Sequence, residues 1–229
     1  MFRINPDRLV TRLAFGAERL PLLCIDGLFL DPGELVDHAR NAMFVDVGSN
    51  YPGVRAPAPA QYVNALLEAV NGPVAEAFGA PMSTDLEMCA FSMITTPPAK
   101  LQPRQRNPHF DGPEIDRIAF IHYLCAPEQG GTSLYRHRAT GLAEITPANL
   151  AGYQSVLAAE LARQVPAQGY VRDATGLFER IHTVGAMFNR LIIYKGNALH
   201  SGDIGPGTVL SEDPARGRLT INGFGRLVS

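Results

Sequence analysis

Two histidines and one aspartate carry the clearest chemical signal in this 229-residue chain. The segment Asn107-Pro108-His109-Phe110-Asp111-Gly112 contains a His-x-Asp pair. In extended backbone, residues i and i+2 project from the same face, so the His109 imidazole and the Asp111 carboxylate can address one ion. His200 stands about 90 residues further on, just past a hydrophobic strand and at the start of a loop rich in Gly and Pro. Two imidazoles and one carboxylate on one side of a cation, with its other positions open, form the facial donor set of non-haem Fe(II). The spacing predicts that the three side chains converge, with donor atoms within roughly 3–4 Å of one another.

A second polar group lies downstream. Arg218-Leu219-Thr220 begins the last strand, where residues 218 and 220 share a face. A guanidinium is suited to holding a carboxylate by two parallel hydrogen bonds. Arg216 competes for that role, but it precedes Gly217 in a turn. Leu219 and Ile221 pointing into the roll would reverse the assignment by putting Arg218 outside.

His-x-Asp, a distant His and Arg-x-Thr on the last strand, in that order, resemble the Fe(II)/2-oxoglutarate-dependent dioxygenases. Ile121-His122-Tyr123-Leu124 followed by Gly130-Gly131-Thr132 is similar to the prolyl-4-hydroxylase-like branch, with the Glu of its Gly-Gly-Glu-Thr turn missing. The resemblance covers roughly residues 86–226 and extends more loosely to the strand and helix at 21–43. It implies an oxygenase, hydroxylase in type, acting on an unidentified small molecule or peptide. It further implies Fe(II) held by His109, Asp111 and His200, and 2-oxoglutarate as co-substrate with its far carboxylate on Arg218, helped by Thr220 and Tyr123. The gap of eighteen residues from His200 to Arg218 is longer than that branch usually shows, and a longer loop between two strands accounts for it. The carboxylate position holds Asp111 rather than Gly or Ala, so nothing suggests a halide-binding variant. A non-catalytic binding module on the same roll, or a zinc hydrolase using the same three residues, are the alternatives. The hydrolase lacks a general base at close spacing.

Several elements must position these groups. PLLCIDGLFLD (21–31) reads as a strand and a bend, and Asp31-Pro32-Gly33-Glu34 as the start of a helix running to about Met43. Apolar residues at 3–4 spacing from Tyr62 to Phe78 predict a helix over 60–78. Strand-like runs follow at 86–94, 117–125 and 132–137, with 99–106 set off by the breaker Pro97-Pro98. Thr146-Pro147 opens a third helix to about Gln164, and strands resume at 177–184, 190–194 and 218–224. The pattern predicts one α+β domain over 1–229 built on a β-sandwich or barrel-like roll. The resemblance implies that this roll is a double-stranded β-helix, or jelly roll, over about 86–229. Residues 1–80 would supply supporting helices packed on it, and 147–164 a helical insert.

Composition narrows the classes. Hydrophobic residues make up 46% and charged residues 18%, which excludes a disordered or coiled-coil chain. The 22 Gly and 18 Pro predict many turns, against a helical bundle. A net charge of −2 gives no general footprint for nucleic acid. With no apolar run near the ~18 residues of a membrane helix and no signal-like leader, the expectation is a cytoplasmic protein without membrane contact. Cys24, Cys89 and Cys125 are odd in number and far apart, as reduced packing residues are. Among the remaining histidines, His122 should pack facing away from Tyr123. His182 should be structural and His38 superficial. His137, in Arg136-His137-Arg138, should lie on a solvated basic edge or at a mouth that attracts anions.

Overall fold

Alternation along the central strands sorts their side chains onto two faces, and both faces are covered. The computed structural model describes residues 2–48 and 51–228. In chain order the elements are β1 (Leu9–Phe15), β2 (Leu20–Asp26), α1 (Gly33–Arg40), β3 (Val45–Asp46), β4 (Gly53–Pro57), α2 (Ala60–Phe78) and β5 (Met88–Ile94). There follow β6 (Arg117–Tyr123), β7 (Thr132–His137), α3 (Leu150–Arg163), β8 (Phe178–Val184), β9 (Arg190–Lys195), β10 (His200–Gly202) and β11 (Leu219–Arg226). One sheet runs β1-β2-β9-β6-β11-β5-β4-β3 and a smaller one β10-β7-β8. Every pairing between these strands is antiparallel.

On the large sheet's outer face, Leu23, Ile25, Phe91, Met93, Ile118, Phe120, Leu191, Ile193, Leu219 and Ile221 form one core with the buried stripe of α2. That stripe is Tyr62, Leu66, Leu67, Val70 and Val74, spaced to fall along one side of a helix. On the inner face, Leu22, Cys24, Ala119, Ile121, Tyr123, Ile192 and Tyr194 meet Leu134 of β7 and Val184 of β8. The two sheets therefore face one another in a jelly-roll-like arrangement. A third, smaller core joins Tyr135 and Phe178 to Tyr153 of α3. Burying a side chain such as Leu219 or Ile221 is worth about 1.5–3 kcal/mol, so the outer face anchors β11 and leaves its other face free for polar residues.

Three local features differ from the sequence reading. β1 is an edge strand with Leu9 and Leu13 exposed, and its apolar residues do not alternate with polar ones as those of a half-buried strand would. Residues 98–100 and 103–106 form two short 3-10 turns, because Pro98 and Pro103 lack the N–H a ladder needs. The third helix begins at Leu150 rather than at Thr146. Thr146 instead donates its N–H to the Asn149 side chain at 2.8 Å, forming a turn ahead of the helix.

Candidate metal centre

The residue before a proline is held extended, and Asn107 before Pro108 has φ −126° and ψ 155°. That geometry starts a strand-like segment that lies along β10 and the turn preceding it. His109 N–H donates to the His200 carbonyl at 2.9 Å, and His200 N–H returns a bond to the His109 carbonyl at 2.8 Å. Two residues on, Asp111 N–H donates to the Gly196 carbonyl at 2.7 Å. β10 is in turn paired with β7, His200 opposite Leu134. The smaller sheet thus gains a fourth row, and the i, i+2 rule places Asp111 on the same face as His109.

The three side chains meet. His109 Nε2 lies 4.0 Å from Asp111 Oδ1, and His200 Nε2 lies 3.6 Å from Asp111 Oδ2. One donor atom from each falls within 4.8 Å of the others, a slightly wider set than the 3–4 Å expected from the sequence. His200 Nδ1 is 2.9 Å from the Ala198 carbonyl, which can only accept, so Nδ1 carries the proton and Nε2 presents its lone pair. That lone pair faces Asp111 Oδ2, a buried oxygen with no hydrogen-bond partner. Two electron-rich atoms facing each other in a buried site are stabilised by a cation between them. The donor set therefore fits a divalent metal of borderline softness, with the backbone bond to Ala198 fixing the His200 ring.

Electrostatics agree. Burial lowers His200 to about 4, partly offset by its bond to Ala198, so it is neutral near pH 7. Burial raises Asp111 to about 6, against the opposing pull of His109, Arg117 and Arg55. His109 is also held below the ordinary imidazole value, by desolvation and then by His200. Its side chain is 56% exposed, whereas that of His200 is buried.

These residues form part of the wall of a cavity of about 520 Å³, within the usual range for small-molecule sites. Arg218 lines the same cavity and is 3% exposed, whereas Arg216 lies in the preceding turn and is exposed. Arg218 donates from Nη2 to the Gly131 carbonyl at 2.9 Å and from Nε to the Gly130 carbonyl at 3.3 Å. Its guanidinium lies 5.6 Å from the Tyr123 ring centroid. A Cβ at Gly130 or Gly131 would collide with the Asp203 and Val184 carbonyls respectively, which accounts for the glycine pair read as a turn.

Tyr123 and Thr220 are buried behind the cavity wall rather than lining it. The Tyr123 hydroxyl is bonded to Thr132 Oγ1 at 2.7 Å, and Thr220 Oγ1 donates to the Ser92 carbonyl at 3.2 Å. Thr132, which ends the Gly130-Gly131-Thr132 run, is the partner of Tyr123 that reaches the cavity. Tyr51, Arg55 and Tyr170 also line it without having been singled out from the sequence. Arg55 sits on a five-residue strand bounded by Gly53 and Pro57, and Tyr51 and Tyr170 in irregular segments, so none offered a periodic signal.

His122 packs away from the cavity, with Nδ1 3.3 Å from the Tyr62 hydroxyl and Nε2 3.2 Å from Asn189 Oδ1. His137 corrects the sequence reading. It is fully buried, bonded to Thr140 and to Glu160 on α3, so it is neither a solvated edge nor a mouth for anions. Its neighbours Arg136 and Arg138 remain near the surface while alternation turns His137 under α3.

Comparison with solved structures gives the fold an independent match. SnoN, described as the non-heme alpha-ketoglutarate-dependent epimerase of nogalamycin biosynthesis, superposes with a TM-score of 0.51 at 11% identity, over 91% of this chain and 79% of its own. HygX from Streptomyces hygroscopicus, solved with nickel and 2-oxoglutarate bound, gives 0.49 at 12% identity, over 90% and 82%. AviO1 from Streptomyces viridochromogenes gives 0.48 at 13%, over 94% and 90%. No curated protein sequence matches the chain. Among the described residues no helix is long and apolar enough to cross a membrane. The model of one protein family, DUF6445, described as a family of unknown function, matches residues 6–225, and the chain belongs to that family.

Proposed function

We propose that this protein is a non-haem Fe(II)- and 2-oxoglutarate-dependent oxygenase that hydroxylates a small-molecule or peptide substrate. The observation that carries the reading is the Asp111 carboxylate, buried and unpartnered at Oδ2, facing the lone pair of His200 with His109 beside it. His109, Asp111 and His200 would hold the metal, whose chemistry couples oxidative decarboxylation of the co-substrate to oxidation of a substrate C–H bond. Shape similarity to an alpha-ketoglutarate-dependent enzyme is compatible with this and adds the fold alone.

The chain's own residues do three things in this reading. The His109–His200 backbone pairing holds two neutral imidazoles in register, so only a small closing of the donor set is needed to bind. Arg218, oriented by the Gly130 and Gly131 carbonyls and lying near the Tyr123 ring, presents its remaining donors to the far carboxylate of 2-oxoglutarate. Tyr123 and Thr220 act through others, Tyr123 by holding Thr132 and Thr220 by tying β11 to β5. This replaces the direct contact with co-substrate expected of them from the sequence.

Anaerobic addition of Fe(II) and then 2-oxoglutarate tests the reading. A visible metal-to-ligand charge-transfer band should form in the wild type and be lost in Asp111→Ala. Absence of the band in folded wild-type protein would favour a binding module or a hydrolase.

A further inference from the structure

The cavity holds more positive charge than the proposed chemistry uses. Its lining includes three arginines, Arg55, Arg104 and Arg218, and one acid, Asp111. A divalent metal and the doubly negative co-substrate would cancel one another, and the excess from the arginines would remain. Unlike Arg117, Arg136, Arg190 and Arg226, none of these three forms an ion pair with a carboxylate among the described residues.

Arg55 is the most confined of the two not assigned to 2-oxoglutarate. It pairs with Ser92 across β4 and β5 on the inner face of the sheet. Its guanidinium stacks 4.2 Å above the Tyr51 ring, and Nη1 approaches Met88 Sδ at 3.3 Å. Nε is buried without a hydrogen-bond partner. Burial weighs against its charge, offset only by Tyr51 and Asp111. A half-buried guanidinium without a carboxylate is a strong donor to an incoming anion, and a soft thioether is a weak substitute for an oxygen. The cavity's wall is otherwise largely apolar, with Ile94, Phe110, Ile121, Ile204 and Phe224.

The geometry points to Arg55 as a substrate-recognition residue, and to the substrate as a small organic anion with an apolar or aromatic body and a carboxylate or phosphate head. This rests on the oxygenase reading of the cavity and names the class of molecule that enters beside the metal. The head would pair with Arg55, and Arg104 at the exposed side would add to the attraction. The body would lie against the apolar wall.

Calorimetry with benzoate, phenyl phosphate and the neutral benzamide decides the matter. Each is titrated into protein loaded with Mn(II) and 2-oxoglutarate and into unloaded protein, with 2-oxoglutarate binding measured separately. In the wild type at least one anion should bind about tenfold or more tightly than benzamide, and Arg55→Gln should remove that preference while changing 2-oxoglutarate affinity less than about twofold. The tighter of the two anions distinguishes a carboxylate head from a phosphate. Arg55→Met, which keeps the stem over Tyr51, serves the same purpose if Arg55→Gln does not fold. The inference is overturned if the wild type shows no preference for anions or if the preference survives both substitutions. It is also overturned if Arg55→Gln weakens 2-oxoglutarate as much as Arg218→Gln does, because Arg55 then belongs to the co-substrate. If 2-oxoglutarate fails to bind the wild type, the oxygenase reading falls, and an Arg55-dependent anion preference in unloaded protein still upholds the site.

Discussion

His109 and His200 are direct cross-strand partners, exchanging both backbone hydrogen bonds, with their ring centroids 4.4 Å apart. In an antiparallel ladder, directly opposed residues project from the same face, so this one bridge fixes the separation of both imidazoles. Tyr194 closes the other side of His200 edge-on at 5.0 Å and limits its rotation. The candidate centre is therefore held by sheet geometry rather than by flexible loops, and its consequences are open to measurement.

Asp111→Asn should separate folding from metal binding. The substitution removes a buried charge whose Oδ2 has no partner, so the metal-free protein should melt at the wild-type temperature or higher. Fe(II) or Mn(II) at a hundredfold excess over Kd should stabilise the wild type by about 2.7 kcal/mol and Asp111→Asn hardly at all. Equal stabilisation of both proteins in thermal melts would remove Asp111 from the ligand set.

Arg218→Gln and Arg216→Ala should behave oppositely towards 2-oxoglutarate. Loss of the buried guanidinium should weaken binding by about 2–5 kcal/mol, whereas the exposed Arg216 should contribute almost nothing. Titration of the Mn(II) protein with 2-oxoglutarate reads both. A loss confined to Arg216→Ala would move the anchor to the turn.

Gly131→Ala should destabilise the protein even though the side chain gained is small. Its Cβ would meet the Val184 carbonyl, so β7 and β8 must separate or the turn must shift. Overpacking of this kind costs about 1–3 kcal/mol. Displacement of the Gly131 carbonyl should also lower 2-oxoglutarate affinity through Arg218. Denaturant unfolding and the same titration check the two effects, and wild-type values in both would refute the steric argument.

His122 should make the fold acid-sensitive. Burial holds its pKa down to about 4, against a small upward contribution from Asn189. The Asn189 side chain donates to the Phe29 carbonyl, so its oxygen accepts from His122 Nε2, and neutral Nδ1 accepts from Tyr62. The folded pKa lies below the unfolded value of about 6.5, so the contribution is full above that pH. It is lost as pH falls towards 4, amounting to about 3 kcal/mol. Comparing urea unfolding of wild type and His122→Gln at pH 7.5 and 4.5 isolates this part of the acid response. Identical pH dependence in the two proteins would show that His122 is not its source.

Local backbone geometry made a good deal of this protein legible in its sequence. The two-residue period of an extended chain puts His109 with Asp111, and on the last strand it turns Leu219 and Ile221 to the helices while Arg218 meets the cavity. The 3.6-residue period marks the buried stripe of α2 in the same way. What only the tertiary structure decided is which segments pair. The pairing of residues 109 and 200, the burial of His137 beneath α3, the retreat of Tyr123 behind Thr132 and the tie from Thr220 to Ser92 all depend on contacts between distant segments. Arg55 shows the same limit: five residues between turns carry no period long enough to read, and its position in the cavity follows from β4 pairing with β5. A side chain's face is set by its immediate neighbours along the chain, whereas its partner is set by the hydrogen bonds and apolar burial that close the sheet.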